Sequence, residues 1–327
     1  MLKMNFEELM KSGYLEKIFK SAKYAENEES YRINLYVTGI TACPCKCKFC
    51  RNSEISSTCS QFNTEAFKRM YQKYGDLIRN VTFGGGEPLL YFHKVYELLK
   101  KRELYAKNRA IITSGIRNKF LEIASEFRDD CLPDGTPYDN SLKMASAFST
   151  IYLSRHHANN KLNQLSFGTK EPLLNRQDIL LLPNMLVNRM VVATTCYKNG
   201  GVSTVEELHD MIQWTHYVNI PAIIFNDFQK SMTDEEFYKD NQVDDDLFDN
   251  TVARLTELAN DFHLVNKIVF SGGYTITTYS SEKLRIRVGF KKYHKTREET
   301  LKEWENTPKR TYDITMEPDG TVYLDQL

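Results

Sequence analysis

Three cysteines within eight residues are the strongest indication of chemistry in this chain. Cys43, Cys47 and Cys50 follow the spacing Cys-x3-Cys-x2-Cys. Thiolate sulfur is the ligand that iron–sulfur clusters prefer, and a [4Fe–4S] cluster takes four ligands. Three cysteines therefore leave one iron with an open position, where a small molecule can bind and react.

A structural zinc site is the alternative use of the same residues. Zinc in such a site takes four closed ligands, commonly from two Cys-x2-4-Cys pairs, and the sequence has no second pair of this kind. Cys45 or Cys59 would have to supply the fourth thiolate, and the chain would then be a non-catalytic metal-binding module. The glycine motif described below favours the cluster.

The segments around the cysteines alternate between strand and helix patterns. Such alternation indicates a parallel sheet, because each connecting helix returns the chain to the same edge. Strand patterns occupy residues 32–38, 80–83, 110–113, 150–154, 189–194 and 219–225. Six units predict an α/β fold with a partial (β/α)6 TIM-like barrel over residues 31–262.

The two ends of the chain break this rhythm. Residues 1–30 are predicted as an N-terminal helical segment. Residues 263–327 are rich in β-forming residues and contain a Pro-Asp-Gly turn. We expect a small β-rich C-terminal extension there, covering one end of the barrel.

Small or polar residues follow the predicted strands at one edge. The cysteine loop follows the first strand, and Gly84-Gly85-Gly86-Glu87-Pro88 follows the second. Thr113-Ser114 and Ser154-Arg155-His156-His157 follow the third and fourth. Loops after the strands build the active sites of α/β barrels. The sequence therefore predicts one site at this edge, with His156 and His157 as candidate catalytic residues.

These motifs together resemble the radical S-adenosylmethionine (radical SAM) superfamily. Cys43, Cys47 and Cys50, with Phe49 before the last cysteine, are similar to its cluster motif. Gly85-Gly86-Glu87-Pro88 is similar to its glycine–glycine–glutamate–proline motif, and the motif order matches over residues 32–225. The partial barrel is most similar to that of the molybdenum-cofactor-synthase-like members.

The resemblance implies both the cofactors and the reaction. Cys43, Cys47 and Cys50 would bind a single [4Fe–4S] cluster, whose fourth iron binds the amino and carboxylate groups of S-adenosylmethionine. One electron from a flavodoxin or ferredoxin-type donor would cleave S-adenosylmethionine, and the 5′-deoxyadenosyl radical would remove a hydrogen from the substrate. The residues expected around S-adenosylmethionine are Phe49, Gly84, Gly85, Gly86, Glu87, Pro88, Thr113, Ser114, Ser154, Arg155, Val192 and Ile224.

Composition narrows the choice of substrate. The chain has 43 basic and 43 acidic residues, so no basic excess favours nucleic acid as a partner. Many peptide-modifying members carry a cysteine-rich C-terminal region for auxiliary clusters, whereas no cysteine follows Cys196 here. We therefore expect a small-molecule substrate, such as a nucleotide, a sugar or a natural-product intermediate. A peptide or protein substrate, as for maturases and glycyl-radical activases, is the alternative.

The sequence also predicts a cytoplasmic location. Its first residues show no signal-peptide pattern, and no stretch approaches the apolar length of a membrane span. We expect no membrane partner. The seven cysteines are then expected as thiols or metal ligands rather than disulfides.

Overall fold

The computed structural model describes residues 2–4, 8, 11–13, 31–50, 61–101, 103–106, 108–129, 142–228, 235–307 and 309–324. Within these residues, twelve strands form one mixed sheet. The strands are β1 Leu2–Met4, β2 Tyr31–Ile40, β3 Ile78–Gly85, β4 Asn108–Thr113, β5 Thr150–Ser154, β6 Met190–Thr195, β7 Ala222–Asn226, β8 His263–Phe270, β9 Tyr274–Ser281, β10 Ile286–Tyr293, β11 Arg310–Met316 and β12 Val322–Leu324.

The helices of the same residues lie mostly between these strands. They are α1 Thr64–Tyr74, α2 Phe92–Lys100, α3 Arg117–Ala124, α4 Lys143–Ala147, α5 Asn160–Phe167, α6 Arg176–Leu180, α7 Asn184–Val187, α8 Val205–Tyr217, α9 Glu235–Asn241, α10 Leu247–Leu258 and α11 Arg297–Asn306. Short 3-10 turns cover Gly75–Leu77 and Pro88–Tyr91. The segment predicted as helical over residues 1–30 lies largely outside the described residues, and its residues 2–4 form a strand that pairs with β12.

Six consecutive strands form the parallel core of the sheet. From β2 to β7, each strand pairs in parallel with the next one along the chain. This order confirms the mixed α/β class predicted from the strand–helix alternation. It also brings the loops that follow β2, β3, β4, β5 and β6 to one edge, because parallel strands end on the same side.

The C-terminal strands close the sheet into a ring. β10 pairs in parallel with β7, β9 joins β10 and β8 in antiparallel fashion, and β11 pairs in parallel with β2. β8 meets β11 at Val269–Arg310 and Phe270–Thr311, so ten strands form a closed barrel. The region predicted as an extension begins with β8, which starts at His263. The partial barrel with an extension over one end is not confirmed, because the extension's strands complete the wall.

Alternate residues of the strands face the helices and the barrel interior. Phe83 of β3 packs against Phe67 of α1, with ring centroids 5.9 Å apart, which marks the helix side. Ile151 and Leu153 of β5 share this side through the strand register and are buried, whereas Tyr152 between them is only half-buried. The interior of an ordinary TIM barrel is packed solid. Partial exposure of the inward side chains shows that this ring is open inside.

A candidate active site at the carboxyl edge of the barrel

The cysteine loop, residues 41–50, follows β2 and is held by backbone bonds on both sides. The N–H groups of Gly86 and Glu87 donate to the carbonyls of Ile40 and Ala42, at 2.7 and 2.9 Å. On the other side, the N–H of Lys46 donates to the carbonyl of Phe167, the last residue of α5, at 2.8 Å. The barrel edge therefore sets the path of the loop.

Close approach between this loop and the end of β3 requires the glycine run. A Cβ on Gly86 would collide with the carbonyl of Ala42, and a Cβ on Gly84 would collide with the hydroxyl of Tyr36. Gly85 has a φ of +101°, which L side chains rarely adopt. The glycines thus make room for the cysteine loop itself, a role that adds to the expected contact with S-adenosylmethionine.

The thiols of the loop lie close together. Cys43 is exposed, Cys47 is buried and Cys50 is partly buried. The Cys45 side chain is within hydrogen-bonding reach of Cys43, Cys47 and Ser114. Cys59, the other candidate fourth ligand for zinc, lies outside the described residues.

The chemistry of these thiols suits an iron–sulfur cluster. Among the described residues, no three His, Cys, Asp or Glu side chains lie close enough to hold one metal ion. Zinc would draw its sulfur ligands to about 2.3 Å. The loop therefore offers a donor set of the right chemistry for a cluster, which the three predicted ligands would hold.

Glu87 ties the end of β3 to the end of β4. Its carboxylate accepts hydrogen bonds from the Thr113 hydroxyl at 2.7 Å, the Ser114 N–H at 2.9 Å and the Leu89 N–H at 3.1 Å. The Ser114 hydroxyl donates to the second oxygen. Burial raises the pKa of Glu87, and these donors oppose the shift. Thr113 and Ser114 thus act on the predicted site by positioning the glycine motif, and Pro88 begins the 3-10 turn behind it.

His156 follows β5 at the same edge of the barrel, and its ring contacts the cysteine loop. Its ring centroid is 4.5 Å from that of Phe49 and 4.8 Å from that of Phe167. The Thr195 N–H donates to Nδ1 at 3.1 Å, so the neutral ring carries its proton on Nε2. Burial, with the charge of Arg155 second, lowers the pKa of His156 to about 3. The imidazole is therefore a neutral hydrogen-bond donor at this site.

His157 is placed differently from its neighbour. Its side chain is partly exposed, and its Nδ1 accepts the N–H of Asn159 at 3.0 Å in the turn before α5. Of the two predicted catalytic histidines, the structure brings His156 to the cysteine loop and leaves His157 in this turn.

Arg155 and Val192 face the helices instead of the interior. Arg155 stacks over Trp214 of α8, with Cζ 4.0 Å from the ring centroid, and donates to the Ala158 carbonyl and Asn160 Oδ1 at 2.8 and 2.6 Å. Burial lowers the pKa of Arg155 to about 9. Val192 pairs in register with the outward Leu153 and is fully buried. The structure therefore separates both from the other residues predicted around S-adenosylmethionine.

Ser154 and Ile224, also predicted around S-adenosylmethionine, face the barrel interior. Both are partly buried and alternate with residues packed against the helices, so both face the interior. Ala193, one residue after Val192, is the register partner of Ile224 and faces inward in its place.

Sequence reasoning missed part of the interior wall. Lys291 and Tyr293 of β10, Tyr274 of β9 and Asp313 of β11 reach the barrel only because the C-terminal strands close it. The Tyr274 hydroxyl donates to Asp313 Oδ2 at 2.7 Å, and Asn34 Nδ2 of β2 donates to Oδ1 at 2.9 Å. Alternation of polar and apolar residues in β10 was the available signal, but it does not reveal which strand β10 joins.

Comparison with known proteins agrees with this site. Residues 37–131 match the family model described as the Radical SAM superfamily, a range that includes the cysteine loop, the glycine run and Thr113-Ser114. This part of the chain is therefore similar to a superfamily whose members use a [4Fe–4S] cluster and S-adenosylmethionine. No curated protein matches the sequence.

Among solved structures of low sequence identity, one shares the fold with a TM-score above 0.5, and two others are similar at lower scores. SuiB of Streptococcus suis bound to S-adenosylmethionine matches with a TM-score of 0.58 and 14% identity, over 98% of this chain and 71% of SuiB. SuiB bound to the precursor peptide SuiA matches with a TM-score of 0.49 and 18% identity, over 78% of this chain and 51% of the SuiB chain. Coproporphyrinogen III oxidase (HemN) of Escherichia coli, a radical SAM enzyme, matches with a TM-score of 0.42 and 13% identity. The match covers 76% of this chain and 56% of HemN. The chain thus spans about half the length of the peptide-bound SuiB chain.

None of the helices in the described part of the chain is long and apolar enough to cross a membrane.

Proposed function

We propose that the chain is an enzyme that cleaves S-adenosylmethionine reductively and directs the resulting radical to a small-molecule substrate. Cys43, Cys47 and Cys50 would hold the [4Fe–4S] cluster. The observation that carries the proposal is the cysteine loop, hydrogen-bonded to the glycine run at the rim of an open barrel interior. When bound, the cluster and S-adenosylmethionine would supply one-electron cleavage and a 5′-deoxyadenosyl radical.

The chain's own residues would bind and orient S-adenosylmethionine and the substrate, and would shield them from water. Glu87, Thr113 and Ser114 keep the glycine run in place beside the cysteine loop. The aromatic rings of Phe49 and Phe167, with His156 between them, exclude water from the inner side of the loop. Nε2–H of His156 offers one fixed donor, which suits an acceptor atom of S-adenosylmethionine or of the substrate.

The closed barrel favours a small substrate. Because β8 and β11 join at the side that an open barrel would leave free, the substrate enters from an end of the ring. A small molecule passes such an opening more readily than a folded protein or a long peptide. Residues 197–327 contain no cysteine, so this part of the sequence offers no thiol ligand for an auxiliary cluster.

The partners and location follow from the same chemistry. Thiol ligands and a reducible cluster need a reducing compartment, which supports a cytoplasmic protein. A flavodoxin or ferredoxin-type protein would deliver the electron.

Product analysis of single-cysteine variants tests the proposal. Anaerobically reconstituted protein, reduced with dithionite, should convert S-adenosylmethionine to 5′-deoxyadenosine and methionine. Cys47→Ala should abolish this conversion, because a ligand is lost. Cys45→Ala is the matched control and should retain it. Absence of 5′-deoxyadenosine from the wild type, or its formation by Cys47→Ala, would contradict the proposal.

A further inference from the structure

The closing strands bring a lysine into the barrel interior. Phe290 of β10 packs against Phe248 of α10 on the helix side, with centroids 5.2 Å apart. Its neighbour Lys291 therefore points to the interior. Lys291 pairs in register with Asn226, the last residue of β7, so it lies at the same edge as the cysteine loop.

Two tyrosines hold this lysine. Its Nζ lies 3.8 Å from the ring centroid of Tyr274 and 4.8 Å from that of Tyr293. These two tyrosines are register partners on β9 and β10. Tyr274 is in turn oriented by its hydrogen bond to Asp313. Ring faces attract the ammonium but do not satisfy its N–H donors.

The charge of Lys291 is not neutralised within the described residues. No carboxylate there forms an ion pair with it, and only the two ring contacts involve its ammonium. The adjacent Lys292 differs, because its Nζ lies 3.8 Å from Asp249 Oδ2 and donates to the Asp245 carbonyl at 3.1 Å. The Tyr293 hydroxyl likewise forms no hydrogen bond with a described residue. Two donors, one of them cationic, are thus left open side by side.

These donors lie near the candidate cluster site. Tyr36 of β2 accepts the Gly85 N–H at 3.2 Å. Burial raises the pKa of Tyr36 to about 12, and the charges of Cys50, Glu317 and Tyr293 each add to the shift. The Tyr36 side chain therefore interacts electrostatically with both the cysteine loop and the end of β10.

We infer that Lys291 and Tyr293 form an anion subsite that binds a carboxylate of the small-molecule substrate. A carboxylate matches the pair because its two oxygens can take one bond from the ammonium and one from the phenol. The subsite would fix the substrate on the wall formed by the closing strands, facing the cysteine loop. This inference rests on the proposed function for its role, although the subsite itself can be measured without turnover.

Titration with matched aromatic probes tests the subsite. Benzoate and benzamide differ in charge at equal size, and calorimetry of the reconstituted protein with S-adenosylmethionine would give both affinities. Wild type should bind benzoate about 10-fold more tightly than benzamide. Lys291→Met should remove this preference, Tyr293→Phe should reduce it, and Lys291→Arg should keep it. Lys292→Met is the matched control and should behave as wild type.

The outcomes separate the two proposals. Equal binding of benzoate and benzamide to the wild type, or an unchanged preference in Lys291→Met, would overturn the subsite. Iron content of each variant shows that it has folded and loaded. A wild type that binds benzoate in this way but forms no 5′-deoxyadenosine would contradict the proposed function and leave the subsite standing.

Discussion

The ring of His156 packs edge-on against the ring of Phe49, with planes 71° apart. Phe49 belongs to the cysteine loop after β2, whereas His156 follows β5 across the barrel edge. The contact therefore links the loop to a strand with which β2 does not pair. The backbone N–H of His156 donates to Asn163 Oδ1, and the backbone N–H of Thr195 donates to His156 Nδ1. These two hydrogen bonds fix the position of the imidazole.

Removal of this ring should loosen the cysteine loop. His156→Ala deletes the contact with Phe49 and leaves the buried Thr195 N–H without its acceptor, at a cost of about 3 kcal/mol in unfolding free energy. Lower iron retention should accompany the loss. His157→Ala is the control, and since His157 is partly exposed it should cost less than about 1 kcal/mol. Chemical unfolding and iron analysis measure both; similar values for the two variants would refute the role of His156.

Acid should destabilise the protein through the same residue. Its pKa lies at about 3 in the folded chain and near 6.5 when unperturbed. Between these values the unfolded chain binds a proton that the folded chain does not, so stability falls as the pH drops. The slope from this residue approaches about 1.4 kcal/mol per pH unit. Urea unfolding of wild type and His156→Gln from about pH 7.5 to about pH 5 should show a shallower loss in the variant, and parallel curves would be inconsistent with a buried neutral histidine.

A methyl group at Gly86 should disrupt cluster binding. In Gly86→Ala the new Cβ meets the backbone carbonyl of Ala42, so the cysteine loop must shift. Gly289→Ala in β10 is a matched control, because its Cβ comes no nearer than 3.3 Å to any atom, the nearest being in the Ile224 side chain. We expect reconstituted Gly86→Ala to hold less than half the iron of wild type and Gly289→Ala to hold a near-normal amount. Full iron loading of Gly86→Ala would show that the loop path is not set by this contact.

Even a conservative substitution of Glu87 should destabilise the protein. In Glu87→Gln the amide NH2 group faces either the Thr113 and Leu89 donors or those of Ser114, so buried donors lose their acceptor. The expected loss is about 2 kcal/mol in unfolding free energy, with slower formation of 5′-deoxyadenosine. Glu122→Gln on the exposed side of α3 is the control, with a change of about 0.5 kcal/mol or less. Equal stability of the two variants would contradict a supporting role for Glu87.

The part of the site that sequence could predict is local. Spacing places Cys43, Cys47 and Cys50 in one loop, and the glycine run needs no tertiary information to be recognised as a close-approach segment. Parallel strand–helix order then brings these loops to one edge. For these residues, short-range pattern and chain order carry enough information.

The face of the strand on which a residue lies, and the closure of the barrel, depend on contacts that the sequence does not show. Val192 and Ala193 differ by one position, and a shift of one residue turns a side chain to the opposite face of a strand. Only the register with Leu153 and Ile224 reveals which of the two faces inward. Lys291 enters the barrel through the pairing of β10 with β7, which the strand pattern of the C-terminal residues does not specify.

Electron paramagnetic resonance of the reduced, reconstituted protein tests the central claim most directly. With about four irons per chain bound by three cysteines, one iron keeps an open position. The account predicts a [4Fe–4S] signal that changes shape when S-adenosylmethionine is added, and that is absent from Cys47→Ala. A colourless zinc protein, or a cluster signal that S-adenosylmethionine leaves unchanged, would contradict it.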